Sequence, residues 1–120
     1  MTTNILRDKS YAFALRIVKL SQYLIAEQRE YVLSKQVLRS GTSIGANIEE
    51  AFQGQSTADF INKLSIANKE AHETNYWLRL LRDSSLLTEA QANHLLDDCI
   101  ELQRMLVAAI KTSKAKARNQ

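Results

Sequence analysis

Proline is absent from the 120-residue chain, and glycine occurs only at positions 41, 45 and 54. Helix breakers are therefore nearly missing, and with Ala, Leu, Glu, Gln, Lys and Arg abundant the composition favours uninterrupted helices over strands. Cysteine occurs once, which excludes an intrachain disulfide. Cys99 lies between Leu95 and Leu102 on an apolar stripe and reads as a small buried hydrophobe rather than a reactive thiol. No apolar run is long enough to span a bilayer, and no amino-terminal segment joins a basic region to an apolar run and a small-residue cleavage site. The expectation is a soluble, cytoplasmic protein without membrane contact. Charge excess is also small: sixteen Lys plus Arg against thirteen Asp plus Glu give a formal +3, which supports nucleic-acid binding only weakly.

The length suits one domain with a real core and is short for two, so residues 1–120 are expected to form a single unit. Four helices are predicted. The first, about Ile5 to Glu27, places Leu6, Phe13, Ile17, Leu20 and Leu24 on one stripe. Polar Glu27 to Glu30 form a turn, and a second helix runs from about Tyr31 to Gln53, with Leu33, Val37, Ile44, Ile48 and Ala51 at helical spacing. Gly54 suits its terminus, and Ser56 or Thr57 caps the third helix, with Asp59 near the exposed amides. That helix, about Thr57 to Asp83, carries Phe60, Leu64, Ala67, Ala71, Thr74, Leu78 and Leu81 at alternating gaps of four and three. Thr88 with Gln91 reads as a capping box opening a fourth helix, about Glu89 to Thr112, whose core residues are Ala92, Leu95, Leu96, Cys99, Leu102, Leu106 and Ile110. The basic end from about residue 113 is expected to fray. An antiparallel, up-down-up-down four-helix bundle of the all-α class follows.

Ser40, Gly41, Ser43, Gly45 and Ala46 crowd small side chains into the second helix. Each interior glycine costs about 1 kcal/mol relative to Ala, which close approach of a neighbouring helix offsets. The competing expectation is a kink or a break near Ser40 to Ser43. Two helices also carry a second apolar line. Tyr11, Leu15, Val18 and Ile25 lie about 140 to 180 degrees from the first helix's stripe, and Ile66, Trp77 and Leu80 lie nearly opposite the third helix's seam. One bundle core cannot bury both sides, so the chain is expected to associate with copies of itself through these residues, as a ring or a dimer.

The run SIGANIEEAFQGQS, followed by DFINKL, IANKEAHET and YWLRLL, resembles the bacterial four-helix-bundle family named for proteins encoded in 23S ribosomal RNA intervening sequences. The likeness spans most of the chain and rests on the combination, in family order and at family spacing. It implies a left-handed up-down-up-down bundle, commonly assembled into a pentameric ring, with no known enzymatic reaction. The family is also similar to the accessory variability protein of diversity-generating retroelements, a basic pentamer that works with a reverse transcriptase and nucleic acid.

For contact with RNA or DNA the candidate cations are Lys9, Arg16, Lys19 and Lys35 in the first half, Arg39, Arg79 and Arg82 around the third helix, and Lys111, Lys114, Lys116 and Arg118 at the end. Repeated in an oligomer, even a modest patch becomes a strong, salt-sensitive binder. As isolated residues they read equally as solvated helix faces, and the tail lacks interleaved aromatics for base stacking. Glu49, Glu50, Glu70 and Glu73 raise a metal site, but the Glu-x-x-His pairs of carboxylate-bridged bundles are missing, so pairing with Arg39, Arg79 or Arg82, or a register role between subunits, is preferred. Asn68 and Asn75, seven apart beside the third seam, suit register-setting amides. No glycine-rich phosphate loop, activated histidine or nucleophile stands out, so no catalytic residue, metal or cofactor is assigned.

Overall fold

A computed structural model describes residues 2–119, with side chains from Ile5 onward. Four helices follow in order: α1 Thr2–Ala26, α2 Leu33–Phe52, α3 Thr57–Asp83 and α4 Glu89–Arg118. Among the described residues there is no strand. Each helix packs against its two neighbours around the bundle, and α1 with α4 is the most sparsely packed seam. Short turns reverse the direction each time, which gives the antiparallel up-down-up-down bundle, 52 × 21 × 21 Å across its axes.

The predicted stripes converge in one core. Phe13, Ile17 and Leu24 of α1 meet Val37, Ile44 and Ile48 of α2, Leu64, Leu78 and Leu81 of α3, and Leu102 and Leu106 of α4, all fully buried. Each such side chain contributes about 1.5–3 kcal/mol of burial, so the seams rather than the turns hold the bundle together. Phe60, Leu33 and Ile110 sit at its edge, half-buried against the cluster.

The small-residue face of α2 lies against α1 without a break, since α2 is one helix through Ser40 to Ser43. A Cβ on Gly41 would stand 2.8 Å from Ile17 Cγ2 and 2.9 Å from Ile17 Cγ1. Gly45 faces Ser10, whose carbonyl oxygen would be 3.4 Å from an added Cβ. Polar groups in the same layers are bonded locally: Ser21 Oγ donates to the Ser34 carbonyl at 3.3 Å, and Thr74 Oγ1 donates to Ser40 Oγ at 2.9 Å.

Helix ends depart from the sequence reading in two places, the start of α2 and the end of α4, while Gly54 stands at the end of α2 as expected. α2 starts at Leu33, because the Glu30 carboxylate accepts the amide protons of Val32 and Ser34 and Arg29 takes a left-handed backbone with φ of 52°. Gly54 follows α2 without a positive φ, so it acts by leaving room: a Cβ there would meet Asp59 Cβ at 3.1 Å and the Ala51 carbonyl at 3.2 Å. α4 runs past the Thr112 boundary as helix to Arg118. Ala115 and Ala117 are strong helix formers, and Lys116 and Arg118 place positive charge at the negative end of the helix dipole. The other caps stand as predicted, with the Asp59 amide donating to Ser56 Oγ at 3.1 Å and a reciprocal Thr88 and Gln91 capping box.

Candidate nucleic-acid and self-association surfaces

Charge on this bundle is sorted by seam. Across α1 and α2, Arg7 pairs with Glu49 at 2.8 Å and its guanidinium lies over the Phe52 ring. Between α2 and α3, Arg39 reaches both Glu70 and Glu73, and Lys63 reaches Glu50 at 2.9 Å. Across the open α1 and α4 seam, Lys9 holds Glu101 at 2.9 Å, while Arg16 pairs with Asp98 and lies 3.3 Å from His94 Nδ1. These pairs are largely solvated and add little to stability. Their consequence is electrostatic: Lys9, Arg16 and Arg39, three sequence candidates for nucleic acid, are already neutralised by carboxylates of the same chain.

Arg82 belongs with them, since it binds Asp83 at 2.9 Å and Asn93 Oδ1 at 3.2 Å. The four highlighted glutamates therefore find Arg7, Lys63 and Arg39, not Arg79 or Arg82. Glu73 is held below the ordinary carboxylate range, first by the Trp77 indole N–H, which donates at 3.0 Å, and then by Arg39. The Arg7 guanidinium does the same for Glu49.

The α3 and α4 seam is different. Its outer side forms a groove in which Ile100, Val107 and Ala108 make an apolar floor, with His72, Asn75, Gln103, Arg104 and Lys111 around it and no carboxylate in the lining. Along α4, Ile100, Arg104, Val107, Lys111, Lys114 and Arg118 follow gaps of four and three, so they share one stripe of the helix. Among the described residues none of Arg79, Arg104, Lys111, Lys114 and Arg118 is ion-paired. Arg79 sits above this stripe on α3, donating to Asn75 Oδ1 at 2.9 Å, with its guanidinium 5.8 Å from the Tyr76 ring centroid. Lys111, Lys114 and Arg118 thus share a stripe of α4 with Arg104, while Arg79 stands at its upper end, with Asp83 nearby. Lys19 lines the α1 and α4 groove instead, Lys35 is exposed on α2, and Lys116 faces the α2 to α3 turn beside Gly54 and Thr57.

Arg104 escaped the sequence reading. Its signal is the heptad spacing to Lys111 and Arg118, which becomes legible only when α4 continues past residue 112. Asn75 is bonded to Gln103 at 3.2 Å, whereas the Asn68 amide oxygen is buried without a hydrogen-bond partner.

Of the two extra apolar lines, the one on α1 is open. Tyr11 is 66% exposed, Leu15 51%, Ile25 43% and Val18 37%, and Tyr31 and Val32 in the following turn extend the strip. Lys9 and Arg16 on the other flank of α1 face α4, so the strip lies on the side away from the basic groove. On α3 the second line is only partly open. Trp77 is half-buried and packs against the bundle's own core, while its N–H is bonded to Glu73 beside Arg39 of α2. Ile66 is half-buried as well, and Leu80 and Tyr76 are the exposed members of that face.

Cys99 is buried, donates to the Ala71 carbonyl at 3.2 Å, and has its thiol pushed up to about 12 by burial. Among the described residues no three His, Cys, Asp or Glu side chains converge on a common point, and no helix is long and apolar enough to cross a membrane.

Comparison with known proteins agrees with this architecture. The profile of a family described as 23S rRNA-intervening sequence protein matches residues 2–108. Among solved structures the chain is similar to a protein of unknown function from the S23 ribosomal protein family of Bacteroides thetaiotaomicron VPI-5482. The two share 55% sequence identity over 92% of this chain and 99% of the other, with a TM-score of 0.91. No curated protein matches the chain.

Proposed function

We propose that this chain, which belongs to the 23S rRNA-intervening sequence protein family, is a non-enzymatic cytoplasmic bundle that associates with copies of itself and holds RNA or DNA on a basic face. The observation that carries this reading is the sorting of charge. Arg7, Lys9, Arg16, Arg39 and Lys63, which bridge the other three seams, are held by carboxylates of the chain, while Arg104 and Lys111 line the α3 and α4 groove with Lys114 and Arg118 farther along the same stripe, none of the four ion-paired among the described residues. A formal charge of +3 is small, but phosphate attraction depends on the local field, and the groove's own lining carries Arg104 and Lys111 without a carboxylate.

Self-association multiplies that field. The α1 strip faces away from the groove, so copies joined through Tyr11, Leu15 and Val18 leave every groove accessible. A pentameric ring, which the family resemblance implies, would repeat the stripe five times and convert weak phosphate contacts into avid binding.

The test is fluorescence anisotropy of a labelled RNA against salt. Removing one phosphate-binding cation flattens the log–log salt slope by about one, so Arg104→Ala, Lys111→Ala and Lys114→Ala combined should flatten it by about three. The pair Lys9→Ala and Arg16→Ala should leave the slope nearly unchanged. No binding at low salt, or a slope indifferent to the triple variant, overturns the reading. The open α1 strip favours a second one, a structural or protein-binding oligomer that needs no nucleic acid, and that is the reading left if RNA and DNA both fail to bind.

A further inference from the structure

We propose that the α3 and α4 groove takes unpaired bases of a single-stranded nucleic acid, with the strand's phosphates on the flanking cations; this rests on the nucleic-acid reading above and specifies the form of ligand it binds. The first argument is the floor. A site for duplex phosphates needs charge alone, yet here Val107, 40% exposed, lies between Arg104 and Lys111 with Ala108 exposed beside it and half-buried Ile100 one turn before Arg104. The floor gains nothing from a phosphate. It gains from a flat apolar surface laid on it, which only an unstacked base supplies while its backbone stays within reach of the cations. Arg104 and Lys111 are seven residues apart on α4, about 10 Å along the helix at 1.5 Å per residue, so successive phosphates of one strand can reach both.

The second argument is a chain of hydrogen bonds that fixes a donor at the groove. Arg79 Nε donates to Asn75 Oδ1 at 2.9 Å, which turns Asn75 Nδ2 toward Gln103 Oε1 at 3.2 Å. Gln103 must then present its Nε2 to His72 Nδ1, 3.0 Å away, and a nitrogen that meets an amide N–H has to accept. The tautomer of His72 follows: its proton sits on Nε2, on an exposed ring beside the floor. A fixed donor of this kind suits the ring nitrogens and carbonyl oxygens of a base edge. At the upper end, Tyr76 is 50% exposed beside Arg79 and offers an aromatic face to a neighbouring base.

The experiment compares the full-length protein's affinity for a short single-stranded RNA, the same sequence as DNA, and the corresponding RNA duplex at one low salt concentration. Single strands should bind about tenfold more tightly than the duplex. Val107→Ser, which roughens the floor, and Gln103→Met, which releases His72, should each weaken single-strand binding about threefold or more and leave duplex binding within about twofold. Equal binding of RNA and DNA single strands supports a site that reads base and phosphate, and tighter binding of RNA supports it and adds the 2′-hydroxyl. A duplex bound as tightly as the single strand, or variants that keep the preference intact, overturns this inference and leaves the charge-based reading standing. Failure of every oligonucleotide to bind overturns both.

Discussion

Gly41 and Gly45 sit one turn apart on the same face of α2, yet adding a methyl group to each should have opposite effects. Alanine at either position gains about 1 kcal/mol of helix propensity. At Gly41 the new Cβ would stand 2.8 Å from Ile17 Cγ2, 2.9 Å from Cγ1 and 3.2 Å from Cβ. Those atoms belong to the stiff root of a β-branched side chain that is fully buried, so neither a rotamer change nor a bend relieves the clash, and α1 must move. Overpacking of this kind costs about 1–3 kcal/mol, which leaves Gly41→Ala destabilised by about 1 kcal/mol. At Gly45 the nearest atoms, the Ser10 carbonyl oxygen and hydroxyl, are 3.4 Å away, so most of the propensity gain survives. The two variants should differ by about 2 kcal/mol, or about 8 °C in melting temperature for a domain of this size. Thermal unfolding followed by circular dichroism at one fixed protein concentration reads the difference, since an oligomer's melting point depends on concentration. Ile17→Ala should cost less in the Gly41→Ala background than in the wild type, because the two changes share one contact. If Gly41→Ala melts at or above the wild type, or if both variants shift together, close approach of α1 and α2 is not what the glycines provide.

Two further perturbations separate the surfaces from the core. Leu15→Glu, on the open strip, should lower the mass in solution with little loss of helix, whereas Trp77→Ala should lower the melting temperature by removing a ring packed on the core; the reverse pattern, read by light scattering and thermal melting, would move the interface to α3. Glu73 gives the pH test. Its folded carboxyl titrates below its ordinary 4.5 because the Trp77 N–H and then Arg39 favour the charged form, so its contribution is present above pH 4.5 and is lost as pH falls through the lower folded value. Glu73→Gln should therefore lose stability less steeply below pH 4.5 than the wild type does, and parallel denaturation curves for the two would refute the coupling.

Most of the fold was legible because its signals are local and repeat. Alternating gaps of four and three from Phe60 to Leu81 specify a buried seam whatever the partner, and Thr88 with Gln91 specifies a cap from four residues alone. Features that depend on which helix lies alongside were not legible. Trp77 lies on the flank of its helix's seam, three residues after Thr74 and four before Leu81, and which way so large a ring turns there depends on the neighbouring helix; here it packs on the core. The carboxylate partners of Lys9 and Arg16 are Glu101 and Asp98, some eighty to ninety residues away, so only the closed bundle shows which cations are spent and which are free. The basic stripe was hidden by a boundary. Ending α4 near Thr112 cut Lys114 and Arg118 from the helix that gives them a common face with Arg104 and Lys111.

The most direct measurement is light-scattering mass of the purified protein at low and at moderate salt, with and without a structured RNA that carries unpaired segments. The account predicts a mass several times the 13.6 kDa of one chain, a gain of RNA mass at low salt, and release of that RNA as salt rises while the oligomer persists. A species of 13.6 kDa that ignores RNA at every salt concentration would contradict both the role of the α1 strip and that of the α3 and α4 groove.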